Sequence, residues 1–594
     1  MFAVALGTWL RMAVTWSDPD AAFLNDSAFH WRMIAETVAQ GGVPARDLVS
    51  EPPAGRDVRA YLPVGMYGAA ALFHRALGGH DLRWNVLLFV ALGGGLIALP
   101  AYLGARALGS GPWTGLAAAW LAVLMPAHLH RTYAYWLRYD ALGTLLLSVH
   151  VAFALRALSG RRVWIESAVS ALALFLALAC WRVALLLPLL EIAFVAVWMA
   201  VRGASPALRV WFTAQAAAVW LAGVTLGYLR ADGFLSSPSA LVLLFLALAI
   251  WIRFPRFPEG SISARGGIVL AALFLAGAVS RVFPHESVVG GEMGVVPARV
   301  LALLGFRAAT TPMIGLQLEV QEMAATPLGG LFGPGVLSWS AIWFVAAPIL
   351  LWLAGGRPGM RKLRQSSDVT ALFGALCAGT LLATLLFERN KVLLGPLAAM
   401  ALAVLVARWL AKPSGLHTAL AIALGVCAAV TGYDATEIAF SRTPNPDRDE
   451  WATLAWLGDH TPKDAVVLAP WELGYEIQSY AARAAVTDGL LESRENGARI
   501  EALARDAFLS SPDSLIALAR RCGAAYLVVP PSDHLYSLAW VAQVPFKDKL
   551  VRGIPLELDE AQGVMTQMMV VGRSYPGLEK IFEQGSWRVY AVRG

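Results

Sequence analysis

Charge is what this sequence has least of. Asp, Glu, Lys and Arg make up 15% of its 594 residues, against 58% hydrophobic residues and a mean hydropathy of +0.59. A soluble domain of this size needs far more charge to cover its surface, so a wholly water-soluble protein is excluded. Cysteine is scarce too: Cys180, Cys377, Cys427 and Cys522 are the whole set, and only Cys522 lies in the polar C-terminal tail. That tail therefore has no internal disulfide, whatever its compartment. The opening MFAVALGTWLRMAVTW has neither a basic n-region nor a small-residue cleavage site, and reads as a first membrane span, not a removed signal peptide. The net charge of +6 gives no reason to expect nucleic acid, because the basic residues sit in short loops between apolar runs.

Those apolar runs are what the sequence does have. They recur from residue 84 to residue 433, each long enough to cross a bilayer as a helix. Candidate spans fall near 2–15, 84–105, 113–128, 139–155, 163–181, 183–201, 210–229, 237–252, 266–280, 337–355, 369–387, 390–407 and 416–433, about thirteen in all, with tight turns at 181–183 and 388–390. Alternate short loops differ in Lys and Arg: one set holds fifteen and the other six, the six being Arg131, Arg138, Arg182, Arg230, Arg389 and Lys391. The positive-inside rule then sets the N-terminus in the cytoplasm and the C-terminal tail outside. The expected division is a membrane domain over 1–433, with outer loops 16–83 and 281–336, and an extracytoplasmic domain over 434–594.

In the first outer loop, Phe29, Met33 and Thr37 or Val38 recur one turn apart, which predicts an amphipathic helix on the outer surface of the membrane. The second, with VVGGEMGVVP and TPLGGLFGPG, reads as a mobile loop. In the tail, DAVVLAP, AAVTDG, GAAYLVVPP and SWRVYAV read as short buried strands, alternating with helical runs at 448–460, 494–509 and 512–522. This predicts a mixed α/β domain.

Ionisable residues at span ends on the outer side form four clusters: Asp26 in FLNDSAFH, Arg131 to Asp140 in RTYAYWLRYD, Glu322 in LEVQEMAATP, and Arg389 in FERNKVLLGP. Charge at a membrane edge is costly and usually has a function or a partner. Each cluster also has a plain structural reading. Asn25 or Asp26 caps a helix, Arg131 and Arg138 anchor the interface, Glu322 is a solvated loop charge, and Glu388 pairs with Arg389. Glu191, inside a span, has Arg182 as a same-helix partner in this reading. What separates the clusters from these readings is their shared side: carboxylates and arginines together make a site for a divalent cation and a phosphate.

In order, these stretches resemble the motifs of the catalytic subunit of oligosaccharyltransferase, the STT3/PglB/AglB family. NDSAFHWRMIAETVAQGGVPARD, with Asp26, Phe29, His30 and Arg32, resembles the first acidic motif. PAHLHRTYAYWLRYD resembles the second, EVQE (residues 319–322) the outer-loop motif ending in an essential Glu, and RNKVLLGP the arginine that meets the lipid-linked pyrophosphate. PWELGY falls where the family has WWDYG.

The resemblance implies a GT-C membrane glycosyltransferase that moves an oligosaccharide from a polyprenyl-pyrophosphate lipid to Asn of an acceptor protein or peptide. It assigns catalysis to Asp26 and Glu322, and a divalent metal, Mn²⁺ or Mg²⁺, to Asp26, Asp140 and Glu322. Lipid-pyrophosphate binding falls to Arg389, Arg131 and Arg138, and acceptor binding to Trp471, Glu472, Gly474 and Tyr475. The expected setting is a bacterial-type inner membrane, with the protein a monomer among membrane lipids.

Two positions depart from the family pattern. Arg138 stands where the second motif has its first acid, leaving Asp140 as the only carboxylate there, and a guanidinium cannot ligate a metal. WWDYG has become Pro470-Trp471-Glu472-Leu473-Gly474, one indole fewer and an acid one methylene longer. These departures keep open a related glycosyltransferase that uses a polyprenyl-phosphate sugar and a lipid or hydroxyl acceptor, and an inactive homologue. A lipid or glycan transporter would place its charges near mid-membrane, often in repeated halves; here they sit on one face and no half-repeat is visible.

Overall fold

The computed structural model describes residues 1–160, 162–252, 262–282, 367–411, 447–551 and 563–593, with a few isolated positions besides. Among them, eight helices are long and apolar enough to cross a membrane: Leu82–Ala107, Asp140–Leu158, Val163–Cys180, Arg182–Arg202, Pro206–Thr225, Ala264–Val282, Asp368–Leu386 and Glu388–Leu410. Phe2–Met12, Pro112–Leu124 and Pro238–Ala249 are shorter apolar helices at three further expected spans. The chain is a multi-pass integral membrane protein. The expected spans 337–355 and, but for Tyr433, 416–433 lie outside the described residues, as do most of loop 281–336 and Glu322.

Local sequence sets these helix ends. Ser205-Pro206 and Ser237-Pro238 start helices in the same way: the serine Oγ accepts from the backbone N–H three residues on, at 3.1 and 3.4 Å, and the proline sits where no N–H is needed. The two tight turns are as expected. Trp181 and Phe387 each take an extended conformation, and a single 3-10 turn, Arg182–Leu185 or Glu388–Asn390, leads into the next helix. Small residues let the first helix approach its neighbours: a Cβ at Gly7 would stand 2.9 Å from Val123, and one at Gly95 2.8 Å from the Thr8 nitrogen.

The chain forms two compact units. One contains Met1–Pro19 and the described membrane helices; the other joins Asp20–Tyr61 to the segment Pro444–Gly594. The division therefore differs from the expected boundary at residue 434, because residues 20–61 group with the C-terminal segment and not with the membrane helices.

In the second unit, β1 (Arg46–Asp47) and β2 (Arg56–Asp57) make a small antiparallel pair. A second sheet is built from β3 (Val466–Leu468), β4 (Ala484–Ala485), β5 (Tyr526–Val529), β6 (Leu578–Gln584) and β7 (Trp587–Val592), in the order β4-β3-β5-β7-β6. β3 runs parallel to β4 and β5, while β5–β7 and β6–β7 are antiparallel. The four strands and three helices expected for the tail are present, the helices spanning Arg448–His460, Arg494–Phe508 and Pro512–Arg521. A parallel bridge from Ser50 to Ala485 ties the β1–β2 segment to the sheet edge, where Ala485 N–H donates to Val49 O at 2.9 Å.

Candidate active site

The helix expected from the Phe29–Met33–Thr37 spacing is Asp26–Gln40, and those three side chains are buried. Its apolar face does not lie on an open surface: it packs inside the second unit against residues 475–480. Phe29 stacks on Tyr475 with ring centroids 4.8 Å apart. Ser479 Oγ donates to Ala28 O at 3.0 Å, and Tyr480 Oη donates to Phe23 O at 2.6 Å. Asp26 is the first helical residue, half-buried, where the helix dipole favours a carboxylate. Asn25 holds the N-cap position without a side-chain cap bond. Its backbone N–H donates instead to Glu476 Oε1 at 2.5 Å.

A buried polar network fixes this arrangement. Arg32 grips Asp47 through two hydrogen bonds of 2.9 and 2.6 Å and donates to Gln478 Oε1 at 3.1 Å. Gln478 Nε2 donates to Asp488 Oδ2 at 3.1 Å, and Arg56 bonds both Asp488, at 2.8 Å, and Glu51, at 2.9 Å. Burial opposes the charge on Arg32, Arg56 and Asp47. The ion pairs nevertheless hold the guanidinium groups of Arg32 and Arg56 above their ordinary range, and hold the Asp47 carboxyl below its own. Bidentate, hydrogen-bonded pairing of this kind is what makes buried charge tolerable.

The stretch PWELGYEIQSYAARAAVTDG folds back on itself at its glycines. A Cβ at Gly474 would stand 2.6 Å from the Asp488 Cα, and one at Gly489 2.6 Å from the Tyr475 ring. The Gly-Tyr step and the TDG that follows are thus one interlocked turn. Tyr475 is buried there; burial, then Asp488 and Asp26, push its phenol well above the ordinary range. Trp471 and Glu472 meet the chain's own Ser537. Trp471 Nε1 donates to Ser537 Oγ at 3.1 Å, and the Ser537 hydroxyl donates to Glu472 Oε1. Burial pushes the Glu472 carboxyl up to about 7. Of the four residues assigned to acceptor binding, Gly474 and Tyr475 are core contacts here, and Trp471 and Glu472 face an internal hydroxyl.

In the first unit, Arg131 and Arg138 both lie over Trp136, with guanidinium carbons 5.4 and 4.2 Å from the ring centroid. Asp140 is buried at the start of helix Asp140–Leu158, where its backbone oxygen accepts from Thr144 Oγ1 at 2.5 Å. Arg389 is half-buried in the 3-10 turn Glu388–Asn390. An ion pair in that turn joins Glu388 to Lys391 at 2.5 Å, a partner the expected Glu388–Arg389 pairing did not include.

Arg11 was not among the residues expected to matter. It is buried at the end of the first helix, with Nε donating to Thr132 Oγ1 at 2.7 Å and Nη2 to His128 Nδ1 at 2.8 Å, and so steadies the segment that carries Arg131. A lone arginine inside an apolar run was the available signal. Glu191 pairs with His150 at 2.6 Å, not with the expected Arg182 on its own helix. Residues nine apart at about 3.6 per turn point to opposite helix faces.

Asp26 belongs to one unit and Asp140 to the other. Among the described residues no three His, Cys, Asp or Glu side chains gather as metal ligands.

Residues 25–304 match the family described as oligosaccharyl transferase STT3, N-terminal. The match covers a little under half of the chain. The matched stretch includes Asp26, Arg131, Arg138 and Asp140 and ends before Glu322. Solved structures of archaeal oligosaccharyltransferase from Archaeoglobus fulgidus share the fold. AglB in complex with an inhibitory peptide and a dolichol-phosphate matches with a TM-score of 0.72 at 13% identity, over 98% of this chain and 79% of that one. The enzyme tethered through a disulfide to an acceptor peptide containing the NVT sequon matches at 0.67 and 14%, and its complex with Zn and sulfate at 0.66 and 14%, each over the same shares of the two chains. No curated protein matches. The chain shares its fold with these archaeal membrane enzymes and carries a C-terminal α/β domain.

Proposed function

We propose that this chain transfers an oligosaccharide from a polyprenyl-pyrophosphate lipid to the side-chain amide of Asn in an acceptor protein. The observation that carries the reading is the fixed pairing of helix Asp26–Gln40 with the 470–489 segment in one compact unit. It brings together the two stretches that resemble the first acidic motif and the acceptor motif of the STT3 family. The dolichol-phosphate and NVT-peptide complexes of the archaeal relatives support a polyprenyl lipid and a peptide as partners. The unit Asp20–Tyr61 with Pro444–Gly594 is the extracytoplasmic one in this reading, on the loop charges given above.

An amide nitrogen is a poor nucleophile because its lone pair is delocalised into the carbonyl. Asp26 and Glu322 accept from its two N–H groups and favour rotation out of conjugation. Arg389, with Arg131 and Arg138, neutralises the negative charge that grows on the departing pyrophosphate. Asp26, Asp140 and Glu322 are oxygen donors only, which suits a hard cation such as Mn²⁺ or Mg²⁺. When bound, that ion supplies further charge stabilisation at the leaving group. The Zn and sulfate complex of an archaeal relative is in keeping with a cation and an oxyanion at such a site.

A second reading, transfer to a lipid or another hydroxyl acceptor from a polyprenyl-phosphate sugar, rests on the altered acceptor stretch, in which one indole is lost and Glu472 stands for the shorter acid. The test is incubation of the purified protein with a lipid-linked oligosaccharide and an Asn-x-Thr peptide, with and without Mn²⁺, read by mass spectrometry. A glycosylated peptide is the expected product. Sugar on a lipid or hydroxyl acceptor alone selects the second reading.

A further inference from the structure

Asn25 is one of five non-glycine residues with positive φ among the described residues, and its ψ is far from the left-handed helical value: φ 53°, ψ −132°. That combination belongs to the first central position of a type II′ turn, which glycine occupies without strain and a residue with a Cβ does not. It sits immediately before Asp26. The strained residue has one bond that no helix accounts for, from its backbone N–H to Glu476 Oε1 at 2.5 Å across 451 residues of sequence. Glu476 itself is 3% exposed, and its second oxygen, Oε2, is buried with no hydrogen-bond partner. A carboxyl kept in the core with one oxygen unsatisfied is expensive unless the other oxygen has a task.

We infer that Glu476 is a positioning residue, which holds Asn25 in its strained turn and thereby fixes the direction in which Asp26 is presented at the start of its helix. The inference rests on the proposed role of Asp26 in glycan transfer. Two neighbouring contacts prevent Glu476 from simply relaxing away: Tyr475 is clamped on Phe29, and Ser479 is bonded to Ala28 O. Asn25 is the single residue between Leu24 and Asp26: its carbonyl is held by the amides of Ala28 and Phe29, and its N–H by Glu476. A carbonyl oxygen at this position is sufficient for the task, so glutamine should replace it and alanine should not.

The test uses the full-length protein in detergent or nanodiscs, with two independent measurements. Hydrogen exchange read on peptides covering residues 23–29 reports the Asn25 amide. It should be protected in the wild type and in Glu476→Gln, and lose protection in Glu476→Ala, while amides of the later helix turns stay protected in all three. In glycan transfer to peptide, Glu476→Ala should lower kcat on the order of 100-fold, as a misplaced catalytic group does, with KM for the lipid donor unchanged. Glu476→Gln should stay near wild type. Asn25→Gly should be active by itself and should restore part of the loss in Glu476→Ala, because glycine needs no latch to hold this turn. Unchanged exchange and kcat in Glu476→Ala overturn the inference, and so does a Glu476→Gln variant as impaired as Glu476→Ala, or no recovery in the double variant. Should the wild type transfer no glycan, the functional reading fails by itself and the exchange measurement still decides the latch.

Discussion

Arg56 and Asp488 are joined by a 2.8 Å ion pair that spans 432 residues of sequence, and both are buried within the second unit. With Glu51 as its other partner, Arg56 holds the 46–57 segment against the turn that carries TDG. Replacing Asp488 by Leu would leave the guanidinium with one buried carboxylate in place of two. The expected cost is about 3–5 kcal/mol in that unit. Thermal unfolding followed by protease susceptibility of the C-terminal segment measures it; a variant as resistant as the wild type would show that the pair is dispensable.

Catalytic assignment makes a sharper demand. Asp26→Ala and Glu322→Ala should each abolish transfer while the purified protein keeps its gel-filtration profile and protease resistance. Wild-type turnover by either variant ends that residue's proposed role.

The interlocked glycines give a stability prediction independent of activity. Gly489→Ala would put a methyl group 2.6 Å from the Tyr475 ring, and overpacking of this kind costs about 1–3 kcal/mol. Gly458→Ala is the control, since a Cβ there meets nothing nearer than 3.5 Å. Equal melting temperatures for the two variants would count against the close approach.

Glu472 sets a pH dependence. Burial raises its carboxyl from 4.5 to about 7, with the Ser537 bond working in the other direction, and Tyr536 is the titratable neighbour it acts on. A folded-state pKa above the unfolded one means that the stabilisation is fully present below pH 4.5 and is lost as pH rises through about 7. Glu472→Gln should therefore flatten the stability profile of this unit between pH 5 and 8, an effect on the order of 1–3 kcal/mol. Denaturation curves across that range decide it: an unchanged slope removes Glu472 as the cause.

In the membrane unit, His150 and Glu191 form a buried pair at 2.6 Å, with Ser170 beside the imidazole. Losing one partner of such a pair costs about 3–5 kcal/mol. Glu191→Leu should lower the detergent melting temperature, and His150→Leu together with Glu191→Leu should recover part of it, because the double change leaves no lone polar group. A double variant no better than the single one would argue against the pairing.

Much of the fold could be read from residues alone. The apolar runs predicted spans because a bilayer imposes a length and a hydropathy that few other environments impose. The tail strands DAVVLAP and SWRVYAV are short, β-rich and bounded by turn residues, and the structure has β3 and β7 there. LEKIFEQ, which became β6, was missed: its alternation is broken by charge, and it pairs only at one edge, with β7. The partner of Glu191 was missed because helix-to-helix contact has no signature in a single run of sequence. The helix Asp26–Gln40 was legible from its spacing, but the surface its apolar face meets was not.

The sequence by itself determined that this chain lives in a membrane, where its charges cluster, and which family its motifs resemble, because hydropathy and local spacing act over neighbouring residues. Tertiary structure alone decided that residues 20–61 join the C-terminal segment, that Trp471 and Glu472 meet Ser537, and that Asn25 answers to Glu476. Those contacts bridge tens to hundreds of residues. Only packing in three dimensions, where desolvation makes each buried polar group find a partner, selects among them.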